Sequence, residues 1–139
     1  MTQQGNVWSG GCLCGAVRYN LASAPFDAGW CHCRTCQLNS GSPAMAFASV
    51  PPADYVITQG ENMVSRFPSS EIGERWFCGA CGTPLLMVEE DAPASVDFSL
   101  ATLDHPESVE PGFHIYYASR IAWANAADDC PRYARRRSE

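Results

Sequence analysis

A mainly β fold of small sheets in a single domain is what this 139-residue chain predicts, on three observations. Short runs alternate apolar and polar residues, as half-buried strands do, and turn residues interrupt them. No segment carries a sustained apolar stripe at helical period. Seven of the eight cysteines fall in three tight clusters, a spacing that suits a shared metal ion and would pin such sheets together.

Taken in order, residues 16–21 (Ala-Val-Arg-Tyr-Asn-Leu) alternate and predict the first strand. Further strands are predicted over 44–50, 55–58, 63–67, 74–77, 85–88, 96–103 and 113–117. Between them stand the turn signals Pro51-Pro52, Gln59-Gly60, Pro68-Ser69-Ser70 and the Glu-Glu-Asp-Ala-Pro run at 89–93. Helix is confined to one or two turns over 33–40 and a short segment over 118–127. There is no internal repeat and no low-complexity linker, so one domain is drawn over 1–139, with 131–139 read as a flexible Arg-rich tail.

Composition excludes several function classes. All nine basic residues are arginine, and four of them (Arg132, Arg135, Arg136 and Arg137) lie in the last eight positions. Without 131–139 the body keeps five arginines against fourteen acids, a net charge of −9 that repels a phosphate backbone. Nucleic acid is therefore not an expected partner of the fold. Nor is a membrane, since no apolar run is long enough to span one. The first eleven residues show neither a basic n-region nor an apolar h-region, which predicts a cytoplasmic protein with reduced thiols.

The clusters are Cys12-Leu-Cys14, Cys31-His-Cys33-Arg-Thr-Cys36 and Cys78-Gly-Ala-Cys81. Eight cysteines in a secreted domain would suggest a disulfide framework, but residues one or two apart are poor disulfide partners and good joint metal ligands. A C-x-C pair with a C-x-x-C pair supplies the four sulfurs of a closed structural zinc site: Cys12, Cys14, Cys78 and Cys81. The middle cluster supplies only Cys31, Cys33 and Cys36, leaving a fourth position open to a substrate. Two zinc sites are expected, the second more labile than the first. Structural zinc contributes on the order of 10 kcal/mol to folding, comparable to the whole stability of a small domain.

Gly11-Cys12-Leu-Cys14-Gly-Ala-Val-Arg-Tyr19, Cys31-His-Cys33-Arg-Thr-Cys36-Gln37 and Phe77-Cys78-Gly-Ala-Cys81-Gly-Thr-Pro84 resemble, in order, the three motifs of the glutathione-dependent formaldehyde-activating enzyme family. That family also includes the centromere protein V domain. The similarity continues through Leu100-Ala-Thr-Leu-Asp104 and His114-Ile-Tyr-Tyr-Ala-Ser-Arg-Ile-Ala-Trp123 to Asp129-Cys-Pro-Arg-Tyr133. The resemblance implies a zinc-pinned β-tent. It assigns Cys12, Cys14, Cys78 and Cys81 to structural zinc, and Cys31, Cys33 and Cys36 to catalytic zinc. The implied activity is that of a carbon–sulfur lyase acting on a small thiol adduct such as S-hydroxymethylglutathione, with glutathione as the thiol and formaldehyde as the carbonyl partner. The chain departs from the usual pattern at Gln37-Leu38-Asn39, where arginine or lysine often follows the cysteine motif, and at His105, where an acid is common.

Two function classes stay open at this level: the lyase, and a non-catalytic zinc-binding module with an interaction role. They differ in whether the second site opens onto a cleft. Among the remaining candidates, His32 lies between Cys31 and Cys33, and in an extended stretch its side chain points away from theirs; a structural hydrogen bond is the expected role. His105 precedes a proline in an exposed turn, His114 and Trp123 carry no assigned role, and Cys130 has no cysteine neighbour. Trp30 and Phe47 are read as core or as walls of the open site.

Overall fold

The computed structural model describes residues 8–137. Ten strands and one helix follow in the order β1 (Ser9–Gly11), β2 (Arg18–Leu21), β3 (Phe26–Cys31), α1 (Arg34–Ser40), β4 (Met45–Val50), β5 (Tyr55–Gln59), β6 (Val64–Pro68), β7 (Gly73–Cys78), β8 (Pro84–Glu89), β9 (Val96–Ser99) and β10 (His114–Ile115). Single 3-10 turns fill several connections. A three-stranded antiparallel sheet runs β1-β2-β5, and a seven-stranded sheet runs β10-β3-β4-β9-β8-β7-β6. Only β10 and β3 pair in parallel; the other neighbours are antiparallel.

Strand alternation divides the large sheet into two faces. Ala48, Phe98 and Leu86 stand opposite one another on β4, β9 and β8, with Val50 and Val96 on the same side. This face packs against Tyr19, Leu21 and Tyr55 of the small sheet to make the main core. The Tyr19 and Tyr55 rings stack with centroids 4.4 Å apart. The intervening residues, Ser49, Asp97, Met87 and Arg75, form a row across the other face. Met87 and Phe47 there pack against Cys31, Cys36 and Phe113 in a second cluster. A third and smaller cluster gathers Cys12, Val17, Cys78 and Leu85. All three cysteine motifs thus sit where core clusters form.

The mainly β class holds, with differences in detail. Two strands, β1 and β3, go beyond those predicted, and the strand expected over 96–103 ends at Ser99 in a 3-10 turn (Leu100–Thr102). The helix expected over 118–127 is reduced to a 3-10 turn, Tyr117–Ser119, entered through Tyr116 in the left-handed region (φ 54) and left through extended Arg120. The Arg-rich segment is docked rather than frayed. His114 N–H donates to Pro131 O (2.9 Å), Tyr133 N–H to His114 O (2.8 Å) and Tyr116 N–H to Arg135 O (2.9 Å). Residues 138–139 lie outside the described residues.

Candidate metal centres and active site

Cys12 and Cys14 lie in the connection between β1 and β2, whereas Cys78 ends β7 and Cys81 lies in the connection to β8. Folding brings the two connections together, and the four sulfurs all fall within 4.8 Å of one another. Cys12 and Cys14 sulfurs are 3.7 Å apart, and those of Cys14 and Cys78 are 3.9 Å apart. Four sulfurs around zinc at about 2.3 Å would be separated by about 3.8 Å along the edges of the tetrahedron, so the donor set fits zinc. Groups around the sulfurs hold them in place: Val17 N–H donates to Cys12 Sγ (3.2 Å), and Thr83 Oγ1 lies 3.2 Å from Cys81 Sγ while accepting from Leu13 N–H (3.0 Å). Hydrogen bonds from the Thr83 hydroxyl and backbone hold the Cys81 thiol down at about 5. Gly15 and Gly82, each next to a cysteine pair, have φ of 81° and 83°, which turns the chain back without a Cβ clash.

The middle cluster is built at the junction of β3 and α1. Cys31 is the last strand residue, Cys33 is the helix N-cap and Cys36 sits in the first turn, where its amide donates to Cys33 Sγ (3.3 Å). Their three sulfurs also lie within 4.8 Å of one another. Hydrogen bonds with Cys31 and Cys36 hold Cys33 far below the ordinary thiol range, whereas contacts with Cys33 and Cys36 push Cys31 up. Three sulfurs this close cannot all carry charge unless a cation shares it, so this donor set also suits a thiophilic metal. Across the sheet face, the Arg75 guanidinium reaches Cys36 Sγ at 3.5 and 3.6 Å.

What separates the two clusters is the number of sulfurs and the cavity beside one of them. A cavity of about 480 Å³ is lined by all three middle cysteines together with Phe47, Arg75 and Met87, and none of the other four cysteines lines it. Its rim is formed by the segments around Ser70, Asp91 and Tyr116.

Residues 7–119 match the family described as glutathione-dependent formaldehyde-activating enzyme. The chain belongs to that family. An uncharacterized lyase of Schizosaccharomyces pombe is 36% identical over 78 residues, which make up 56% of this chain and 55% of that protein. A Halomonas elongata protein named for the same formaldehyde-activating family is 28% identical over 101 residues, covering 68% of this chain and 64% of that one. The matched region thus spans less than two thirds of either relative's length. A crystal structure of a Rhodobacter sphaeroides protein shares the fold at a TM-score of 0.56 and 19% identity, covering 89% of this chain and 98% of that one.

Within this family member, a buried polar string backs the middle cluster. His32 and His114 are 4% and 3% exposed. His32 Nε2 and His114 Nδ1 share a hydrogen bond of 2.8 Å, and His114 Nε2 donates to the Asp128 carboxylate at 3.1 and 3.2 Å. Burial, then the neighbouring His114, lowers the pKa of His32. Among the described residues, His32 Nδ1 has no partner. Backbone anchors complete the support: His32 N–H donates to Ile115 O (3.0 Å), and the Gln37 amide donates to His32 O (2.8 Å) and Ser119 O (3.2 Å). Gln37 is thus a buried donor to two carbonyls, while its Oε1 accepts from Arg34 Nη1 (3.1 Å).

The other candidates separate cleanly. Phe47 lines the cavity, whereas Trp30 packs near His114 with centroids 6.4 Å apart. His105 is exposed beside the 3-10 turn Pro106–Ser108, and Trp123 is 71% exposed. Cys130 lies apart from both clusters, its sulfur 3.9 Å from Pro111 O. Sequence reasoning missed Arg75 and Asp128, because the contacts that matter join residues 39 and 14 positions apart and no local motif marks them. No helix among the described residues is long and apolar enough to cross a membrane.

Proposed function

We propose that this protein is a zinc-dependent carbon–sulfur lyase of its family's type, making or breaking the bond between a small thiol and an aldehyde carbon, as in S-hydroxymethylglutathione. The observation that carries the reading is a contrast in donor number and setting: the first cluster offers a full set of four sulfurs and does not line the cavity, while the second offers three sulfurs at the wall of a cavity of about 480 Å³. Cys12, Cys14, Cys78 and Cys81 take the structural role, and Cys31, Cys33 and Cys36 the catalytic one. Zinc held by the latter three would act as a Lewis acid that lowers the pKa of a thiol.

The chain's own groups do the rest. Phe47 and Met87 form an apolar floor that excludes water beside the sulfurs. Arg75 donates to Cys36 Sγ, fixing that sulfur and offsetting part of the negative charge. The cavity walls hold thiol and aldehyde together, and orientation of this kind can supply several kcal/mol of rate enhancement. In the forming direction the sulfur–carbon bond is made as the carbonyl oxygen becomes a hydroxyl, taking up the proton that the thiol gives up. The lyase direction reverses both changes. Exchange of carbon-13 formaldehyde between its hydrate and its glutathione adduct, followed by NMR, tests the reading. The zinc-loaded protein should accelerate exchange and Cys33→Ala should abolish the acceleration without changing the far-UV circular dichroism. Exchange at the rate of free solution would contradict it.

A further inference from the structure

The cavity beside the three cysteines differs chemically from end to end. Near the cysteines it is lined by Asp97, Met87 and Arg75 of the cross-strand row, with Ser49 next to Asp97 in that row. These polar groups are engaged: Arg75 with Cys36 Sγ, and the Asp97 carboxylate with the Ser49 hydroxyl at 2.6 Å. The next row on the same face places Glu89 opposite Gly73. Two residues of strand put it about 7 Å further from the Met87 row. At the rim beyond, Arg136 faces Asp91 at 3.8 Å, so that cation already has a counter-charge.

Glu89 is different. It lines the cavity, is exposed and, among the described residues, forms no ion pair within 4 Å, Arg136 acting on it only at longer range. Its stem lies over Gly73, so no side chain from β7 occupies the space in front of it. A substrate whose sulfur lies at the cysteine cluster, and whose chain spans about 7 Å or more, would bring its other end toward this carboxylate. An ammonium group there gains a charge-assisted hydrogen bond, a neutral end gains less, and a carboxylate is repelled.

We propose that Glu89 is a specificity residue for the far end of the substrate, and that the cavity selects thiols carrying an ammonium group over neutral or acidic thiols of the same length. This rests on the reading that the three-cysteine cluster takes a substrate thiol. The test titrates the full-length, cobalt-loaded protein with 6-amino-1-hexanethiol, 6-mercapto-1-hexanol and 6-mercaptohexanoate, whose chains are long enough for that span, following the sulfur-to-cobalt charge-transfer bands to obtain a Kd for each. The same series on Glu89→Gln sets the baseline, which cancels the different intrinsic acidities of the three thiols. Glu89 is exposed at the end of its strand, so this variant keeps the fold. The ratio of the 6-mercapto-1-hexanol Kd to that of 6-amino-1-hexanethiol should be about fivefold higher in the wild type than in the variant, the scale of a partly solvated ion pair. The 6-mercaptohexanoate Kd should tighten in the variant. Equal ratios in the two proteins would overturn the proposal while leaving the thiol site standing. A spectrum that responds to none of the thiols would overturn both.

Discussion

Replacing Cys78 with serine should unfold this protein, and the structure says why. Cys78 is completely buried at the end of β7, with its amide donating to Thr83 O (3.0 Å) and its carbonyl accepting from Gly82 N–H (2.7 Å). Its sulfur and that of Cys14, 64 residues earlier, lie 3.9 Å apart, so a metal here ties the small sheet to the large one. The surrounding cluster is small: its fully buried aliphatic side chains are Val17 and Leu85. At about 1.5–3 kcal/mol each, those two provide about 3–6 kcal/mol. A structural zinc provides about 10 kcal/mol or more, against a total domain stability of about 5–15 kcal/mol. Loss of one of four sulfurs therefore removes the largest local contribution and leaves a hydroxyl buried among thiols. Zinc content and thermal unfolding, measured on Cys78→Ser beside Cys130→Ser, form the assay. The Cys78 variant should be insoluble or molten and short of one zinc, while the Cys130 variant, outside both clusters, should match wild type. A soluble Cys78→Ser protein with wild-type zinc content and a cooperative transition would refute the reasoning.

Three further outcomes are expected. Phe98→Ala, at a fully buried position between Ala48 and Leu86, should cost about 3–5 kcal/mol, seen as a lower urea midpoint at unchanged slope. Asp128→Ala should speed zinc loss from the middle cluster several-fold while the first zinc and the fold persist, and Asp128→Asn should restore much of the hold because its amide oxygen still accepts from His114. Arg18 hydrogen-bonds to Asp104 and, with the Ser9 hydroxyl, lowers its pKa, so the carboxylate stabilises the fold above the unfolded aspartate range and loses that effect as pH falls through the folded value. The pair is about one third exposed, so Asp104→Asn should cost less than about 1 kcal/mol at neutral pH. The Asp104 carboxyl carbon should titrate below the ordinary aspartate range by NMR, and a normal midpoint would contradict the pairing.

The cysteine clusters were legible because each chelating pair is local, and spacing of one or two residues is a direct geometric statement. The alternating strands were legible because one face of each is buried. β1 was not: Ser9-Gly10-Gly11 has no alternation, and Gly10 is required by the close approach of the Tyr19 ring and Thr102 O, which a Cβ would meet at 2.5 Å. β3 hides for a related reason, because Asp27 at φ 51 and a register shift between Phe26 and Gly29 break the period. The string Asp128–His114–His32 joins residues 82 and 14 positions apart, and only the fold makes it one unit. The docked segment 131–135 was masked by its arginines, which suggest solvent while its backbone pairs with 114–118.

Everything turns on one closed and one open cluster, and counting metal against fold tests that division most directly. Zinc per chain, determined by elemental analysis before and after mild chelation, should fall from two to one while the circular dichroism spectrum stays unchanged. Loss of both metals together with the fold, or retention of both, would contradict the assignment of structure to Cys12, Cys14, Cys78 and Cys81 and of chemistry to Cys31, Cys33 and Cys36.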